Sequence, residues 1–246
     1  SNNLKDTLDL FDQKKDVNYS VAWLDCIKRK NNNFRSIFYS AAFSNNKNYN
    51  LKFNKTKKIF SLIKFNLINK LTINFFNKFF YIKHILFKKK SMVSLDNFFY
   101  PLDKLEDWNL FYGENGFLQY QFILPKQNSQ KGIQEILDEI NNSKTFPSLA
   151  VLKLHGKSNE NILSFPLEGY SLALDFRYEK RIFTFFERLD QIVLKYKGRI
   201  YLTKDSVMKK DFFYKCYNKL EKFIEFRKKM KLDKKFSSFQ SERLGL

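Results

Sequence analysis

A strand, helix, strand pattern that occurs twice in the second half of the chain constrains its fold more than any other sequence feature. In the first occurrence, FLQYQFIL at 117–124 alternates, 129–142 has helical spacing of apolar residues, and LAVLKLH at 149–155 alternates again. Alternation places successive side chains on opposite faces of a strand. The segment therefore predicts two strands joined by a helix.

The second occurrence begins with YSLALDF at 170–176, which is typical of a strand. A helix is predicted over 180–197, where Gly198 ends it, and a short strand follows at 199–202. Two β-α-β units in series predict an α+β domain in which helices cover a mixed or antiparallel sheet.

The flanking segments extend this domain. A strand pair is predicted at 19–26 and 34–43, where β-branched and aromatic residues alternate. A basic helix over 212–229 is predicted within a helical C-terminal segment, 205–246. The first half of the chain also contains an irregular basic insertion, 44–90.

Within this insertion, lysines from Lys58 to Lys83 are spaced among Phe, Ile and Leu residues. Two structures have this pattern: a basic amphipathic helix that lies on a membrane, and an ordinary helix that faces a core. The longest uncharged run, 71–77, is too short to cross a bilayer, because crossing needs about 20 apolar residues. The sequence excludes a transmembrane helix here and leaves both alternatives open.

The formal net charge of +20 comes mainly from lysines, which accompany many Asn, Ile and Phe residues. This joint bias is typical of A/T-rich coding DNA, and on that interpretation much of the charge is solvated surface. The alternative is a basic module that binds an anionic membrane or nucleic acid. Nucleic acid is not expected as the main partner.

Cys26 and Cys216 are the two cysteines, and their separation indicates neither a disulfide framework nor a zinc cluster. We expect a reducing, cytoplasmic compartment, with peripheral contact at the inner face of the membrane. The first residues lack a signal-peptide pattern and a start methionine, so the chain is expected to begin in mid-protein.

The motifs of self-contained enzymes are absent from the sequence. With 7 glycines it has no GxGxxG, no GxxxxGK phosphate loop and no HExxH. A serine triad or a zinc hydrolase would need His84 or His155, the two histidines of the chain. No metal site is predicted.

Two glutamines interrupt an otherwise apolar strand. Gln119 and Gln121 are two residues apart and share a strand face with Phe117. Adjacent amides offer donors and acceptors suited to sugar hydroxyls. A solvent-facing strand has the same pattern, so both interpretations stay open.

Two lysines stand at similar positions, Lys153 within an apolar strand and Lys204 just after the last predicted strand. A buried lysine needs a partner, so each lies at an exposed edge or faces a charged ligand. At a strand end, the Lys204 cation could stabilise negative charge that develops on a substrate oxygen or an electron-accepting ring. Asp175 and Asp205 are the predicted carboxylate neighbours.

Five ordered segments carry a family resemblance: 99–125, LAVLKLHG at 149–156, 163–176, GRIYLTKDSVM at 198–208 and the ending SSFQSERLGL. They resemble the decaprenylphosphoryl-ribose oxidase family, FAD-linked oxidoreductases of the vanillyl-alcohol-oxidase type. The YSVAWLDC run near the start fits the same family. The likeness runs from about Leu4 to Leu246 and is weakest between Asn45 and Lys90.

The resemblance implies that 1–246 is a C-terminal substrate-binding domain and that a separate N-terminal domain, expected before Ser1, holds the FAD. Lys204 matches the lysine beside the flavin and the substrate, and Tyr201 is the second expected cofactor contact. The resemblance thus implies that the Gly-rich flavin loops lie outside this chain.

The resemblance also implies a substrate pocket. Gln119 and Gln121 match its paired glutamines, Lys153 matches a pocket lysine, and Trp23 matches an aromatic wall residue. Three further pocket positions depart from the mycobacterial family member: Ser171 replaces Asn, Ala173 replaces Cys and Phe99 replaces Tyr.

The implied reaction is hydride transfer to the flavin from the sugar carbon that bears a hydroxyl, which produces a ketosugar. In the family, a separate short-chain reductase partner reduces the ketosugar in the opposite configuration, so that the overall process is an epimerisation. The expected substrate is a sugar or a polyprenyl-phosphate sugar. A lipid carrier would suit the basic and apolar 55–90 region.

Overall fold

The computed structural model describes residues 1–27, 34–45, 57–58, 68–87, 90–143 and 145–246. The strands among these residues are β1 (Tyr19–Asp25), β2 (Arg35–Ala41), β3 (Lys57–Lys58), β4 (Leu105–Glu106), β5 (Phe117–Pro125), β6 (Leu149–His155), β7 (Gly169–Arg177) and β8 (Arg199–Ile200). The α-helices are α1 (Leu4–Gln13), α2 (Lys70–Leu86), α3 (Leu95–Phe99), α4 (Lys126–Asn142), α5 (Ile182–Lys195), α6 (Lys210–Cys216), α7 (Leu220–Lys229) and α8 (Phe239–Leu244). Two 3-10 turns, Trp108–Tyr112 and Leu202–Lys204, complete the secondary structure of this part of the chain.

Six strands form one sheet in the order β2-β1-β6-β7-β5-β8, in which every neighbouring pair is antiparallel. The short strands β3 and β4 form a separate parallel pair. The α+β class is confirmed, and the main sheet is antiparallel.

The two predicted β-α-β units interlock within this sheet. β5 and β6 are joined through α4 but lie on either side of β7, while β7 and β8 are joined through α5 and lie on either side of β5. Each unit is therefore split by a strand of the other, as in ferredoxin-like topologies. The β1-β2 hairpin extends the sheet beside β6.

One face of the sheet is covered by α4 and α5. Tyr120, Phe122 and Leu124 of β5 point to this face and are almost completely buried. Apolar side chains recur along both helices at helical spacing, which turns one side of each helix toward the sheet. The buried residues of these helices are Ile133, Ile136, Leu137, Ile140, Ile182, Phe185, Phe186, Leu189 and Val193.

The opposite face of the sheet is partly covered by α2, the described helix of the basic insertion. Phe80 packs against Trp23 with ring centroids 5.1 Å apart, Asn77 donates to Asp25 Oδ1 at 2.9 Å, and His84 Nε2 lies 3.0 Å from the Tyr39 hydroxyl. The lysine pattern that predicted a helix begins at Lys58, but Lys58 belongs to β3. Helix α2 begins only after Asn69, where a capping box marks its N-terminus. Residues 59–67 lie outside the described part.

None of the helices described here combines the length and apolarity that crossing a bilayer requires. The helix predicted over 212–229 is two helices. The backbone of Tyr217 leaves the helical region at φ −116° and ψ 87°. Its buried hydroxyl donates to the Ile200 carbonyl at 2.7 Å. A tertiary hydrogen bond at the sheet edge thus accompanies the break.

Asp190 is a buried carboxyl on the helix-covered side, and it gives stability a predictable pH dependence. It is 6% exposed and accepts a hydrogen bond from Tyr120 at 2.7 Å. Burial raises the pKa of Asp190 from 3.8 to about 7. The folded state holds this proton more tightly than the unfolded chain does. The free energy of unfolding is therefore greatest below the pKa of Asp190 in the unfolded chain and falls as the pH rises toward 7. The fall amounts to about 1.4 kcal/mol for each pH unit between the two pKa values.

Urea unfolding of the wild type and Asp190→Asn across this pH window measures the dependence. The asparagine variant should show a shallower fall of stability with pH, because its side chain cannot ionise. Identical slopes for the two proteins would contradict the assignment to Asp190.

Candidate active site

The sheet face opposite α4 and α5 gathers most of the polar residues predicted from the sequence. Directly opposed residues of antiparallel strands point to the same face. One row across the sheet contains Trp23, Val151, Ala173 and Gln121. Tyr201 continues this row beyond β8, because its amide donates to the Gln121 carbonyl at 2.8 Å.

Two parallel rows complete the face. Gln119 lies opposite Asp175, and Lys153 lies opposite Ser171. The structure therefore brings six predicted residues of four different strands onto one face, which we call the basin floor. They are Trp23, Gln119, Gln121, Lys153, Ser171 and Ala173.

A chain of hydrogen bonds connects a lysine at the rim of the basin floor to a buried carboxyl. Lys204 Nζ donates to Gln119 Oε1 at 2.5 Å, and Gln119 Nε2 donates to Asp175 Oδ1 at 2.8 Å. The two contacts set the orientation of the amide, with its oxygen toward the ammonium group and its nitrogen toward the carboxyl. Lys204 thus follows the last strand, as predicted, and touches a predicted pocket residue.

The electrostatics of this chain leave positive charge at the rim. Asp175 is 4% exposed, and burial raises the pKa of its carboxyl against the opposing effects of the Gln119 hydrogen bond and the Lys204 charge. A neutral amide separates the carboxyl from the ammonium group, so the two do not form a contact ion pair. The Lys204 charge is therefore positioned without being cancelled at short range.

The second predicted carboxylate neighbour of Lys204 has other partners. Asp205 Oδ2 lies 2.7 Å from Arg243 Nη2, and Asp205 Oδ1 accepts from the backbone amides of Val207 and Met208. Asp205 thus ties the last helix to the segment after β8. Asp205 was predicted as a neighbour of Lys204 because the two are adjacent in sequence. In the fold, its carboxylate is instead bound by donors from other parts of the chain.

His155 joins the basin floor beside Ser171, although it was not among the pocket residues predicted from the sequence. His155 Nε2 and Ser171 Oγ are 2.7 Å apart. Burial and the Lys153 charge lower the pKa of the imidazole, which is therefore neutral at neutral pH. Its position two residues after Lys153 was the signal that could have revealed it.

This serine and histidine pair does not form a nucleophile site. Ser171 is 1% exposed, so its hydroxyl lies beneath the surface of the floor. A nucleophile must contact the substrate, and its base is normally oriented by a third group. The charged group that acts on His155 here is the Lys153 cation, which disfavours the protonated imidazole. The other histidine, His84, belongs to the wall formed by α2.

Aromatic groups surround the floor on three sides. Helix α2 forms one wall, where Phe80 packs on the floor residue Trp23, and Phe165 packs against Tyr201 at 4.7 Å to form a second. The third wall is the turn Trp108–Tyr112, where Tyr112 stacks on Phe117 at 4.5 Å. Gln119, Gln121 and Ala173 remain partly exposed between these walls. The result is a shallow basin of amide groups with aromatic sides, which suits a polyhydroxylated ligand.

Phe99 is the predicted pocket residue that the structure sets apart from the others. Its ring contacts Tyr19 at 4.8 Å, at the first residue of β1. Tyr19 and Trp23 are four residues apart on one strand, so about 13 Å of chain separates them. Phe99 therefore borders the basin at its far end and does not touch the amide groups.

Comparison with known proteins identifies a relative of this chain. No protein-family model matches the chain. Over 180 residues, or 73% of its length, the chain is 34% identical to decaprenylphosphoryl-beta-D-ribose oxidase of Mycolicibacterium smegmatis, and it spans 39% of the length of that protein. This chain is thus a relative of the decaprenylphosphoryl-ribose oxidases, as its motifs predict.

Proposed function

We propose that this chain is the substrate-binding part of an FAD-dependent oxidoreductase that oxidises a hydroxyl of a sugar or of a polyprenyl-phosphate sugar. The observation that carries the proposal is the hydrogen-bonded chain from Lys204 through Gln119 to Asp175, which holds one cation at the rim of a half-open basin. The similarity to an oxidase named for a lipid-linked ribose supports it.

The residues of the basin fit a flavin and a sugar together. The floor offers amide donors and acceptors for hydroxyl groups, while its aromatic walls can lie against flat or apolar surfaces. Its carboxyl, Asp175, is buried and hydrogen-bonded, so it does not place negative charge against an electron-accepting ring. Bound FAD supplies the hydride acceptor, which no side chain can replace.

Each basin residue has a proposed role in this reaction. Gln121 hydrogen-bonds the sugar hydroxyls, and Trp23 provides an apolar wall. Lys204 stabilises the negative charge that develops during hydride transfer, because a fixed cation that needs no reorientation lowers the barrier most effectively. Tyr201 is the second contact toward the cofactor.

The remaining floor residues adjust the substrate class. Lys153 is exposed on the floor, so its charge can meet a substrate phosphate. Ser171 is hydrogen-bonded to His155, and Ala173 has no functional group. The side chains that β7 contributes to the middle of the floor are therefore small and weakly polar. A short-chain reductase that reduces the ketosugar product would complete an epimerisation.

The proposal predicts that the flavin is held by a second domain. Expressing this chain fused to its upstream reading frame should give a yellow protein, and a sugar or lipid-linked sugar substrate should bleach its flavin absorbance under anaerobic conditions. The 246-residue chain alone should be colourless, because the basin can face a flavin but cannot enclose one. A yellow isolated chain, or a fused protein whose flavin no such substrate reduces, would refute the proposal.

A further inference from the structure

Helix α2 carries apolar side chains on two faces, and contacts with the sheet bury one of these faces. The inner face carries Ile73, Asn77, Phe80 and His84, which contact β1 and β2 or are buried against them. An ordinary surface helix has polar residues opposite such a face. The outer face of α2 is instead lined by large apolar side chains.

We call this surface the outer stripe. Its side chains recur at spacings of three and four residues, so they lie along one side of the helix, opposite Ile73 and Asn77. Its five residues and their exposed fractions are Leu71 (82%), Phe75 (76%), Phe79 (61%), Ile82 (42%) and Leu86 (69%). Further exposed apolar residues, Phe87, Met92, Val93 and Leu95, follow along the chain. Apolar area of this extent marks an interaction surface.

The charge around the outer stripe indicates what covers it. Helical periodicity places Lys78 at one border of the stripe and Lys83 at the other. From Lys28 to Lys90 the sequence has 16 Lys and Arg residues and no Asp or Glu. These residues supply most of the net charge of +20, so the charge is concentrated in the stretch of sequence that contains α2.

An apolar stripe with a lysine at each border, within a strongly basic stretch of sequence, is complementary to the surface of an anionic membrane. The apolar side chains enter the boundary between headgroups and acyl chains, while lysines meet the lipid phosphates. A nucleic-acid duplex would engage the lysines through its phosphates but leave the phenylalanines in water, because its bases are already stacked. A protein partner could cover the stripe but would need acidic groups along both borders.

We propose that α2 docks the protein on the surface of an anionic phospholipid membrane, with the outer stripe inserted in the plane of the interface. The inner face of the same helix packs on Trp23 at the wall of the basin. The helix is about 10 Å thick, so docking places the basin close to the lipid surface. The proposal rests on the helix and its charges, and it does not require the proposed reaction.

Vesicle flotation of the purified chain tests this docking. The chain should float with vesicles of equal parts phosphatidylcholine and phosphatidylglycerol and should not float with vesicles of phosphatidylcholine alone. The double variant Phe75→Gln and Phe79→Gln should bind the anionic vesicles at least about tenfold more weakly. Lys78→Gln with Lys83→Gln should weaken binding by about thirtyfold and reduce its salt dependence.

Matched variants separate this surface from general stickiness and general charge. Phe236 and Phe239 are 64% and 92% exposed and lie outside α2, so Phe236→Gln with Phe239→Gln should leave vesicle binding unchanged. Lys228→Gln with Lys229→Gln removes the same charge from the end of α7 and should have a much smaller effect than the Lys78 and Lys83 pair. All these side chains are exposed, and unchanged circular dichroism would confirm that each variant folds.

Three results would overturn the docking proposal. The first is equal vesicle binding by the wild type and the Phe75 and Phe79 variant. The second is displacement of the chain from vesicles by random-sequence duplex DNA. If DNA still bound the Phe75 and Phe79 variant but not the Lys78 and Lys83 variant, nucleic acid would be the partner. The third is loss of vesicle binding when the upstream flavin-binding half is fused to the chain, which would make that half the occupant.

Discussion

Replacement of Lys204 by alanine should lower the rate of flavin reduction by about a hundredfold or more while FAD remains bound. The ammonium group is held at the rim of the basin by Gln119, 2.5 Å away, and Gln119 is held in turn by a buried carboxyl. Removing the cation leaves the amide in place and takes away the charge that we propose stabilises the hydride transfer. Anaerobic stopped-flow reduction of the fused, flavin-containing protein measures the rate.

Two further variants provide a control and an intermediate case for this experiment. Lys222→Ala removes an exposed lysine of α7 and should leave the reduction rate unchanged. Gln119→Leu keeps the cation but removes its acceptor, so the rate should fall less than in Lys204→Ala. If Lys204→Ala reduced its flavin as fast as Lys222→Ala, the role proposed for Lys204 would be wrong.

Replacement of Gly169 by alanine should lower the free energy of unfolding by about 3 kcal/mol or more. Gly169 is the first residue of β7, opposite Pro125. A Cβ atom there would lie 2.0 Å from the carbonyl oxygen of Leu124 and 2.8 Å from the amide nitrogen of Lys126. Both atoms belong to the backbone that joins β5 to α4, so the clash cannot be relieved by moving a side chain.

Gly156 provides the matched control for this prediction. It follows β6 directly, and a Cβ atom added there would meet nothing within 4 Å. Gly156→Ala should therefore change the free energy of unfolding by about 0.5 kcal/mol or less. Urea denaturation followed by circular dichroism compares the two, and equal stabilities would contradict the packing of Gly169 described here.

The elements of the second half were predictable from sequence because their periodicity is local. Alternation marks β5, β6 and β7 within a residue or two of their ends, and the stop at Gly198 separates α5 from β8. The order of the strands was not predictable. Antiparallel pairing of β5 with β7, 44 residues further along the chain, depends on contacts that no local pattern encodes.

The same distinction applies to the ends of the helices. The periodicity of 212–229 continues through Tyr217, and a single helix was therefore predicted. The hydrogen bond from Tyr217 to Ile200 joins residues 17 apart in sequence, so only the folded sheet edge could show where the helix breaks. Likewise, composition could not decide whether α2 faces a core or lies on a membrane, because apolar residues occur on both its inner and its outer face.

For the candidate site, the sequence by itself determined which side chains share a strand face. Gln119 and Gln121, or Lys153 and His155, must point the same way because a strand repeats every two residues. Only the tertiary structure decided that these pairs lie on one floor, that Lys204 binds Gln119, and that Asp205 binds Arg243. The physical reason is that periodicity is a property of the local backbone, whereas partners are set by which strands and helices come together.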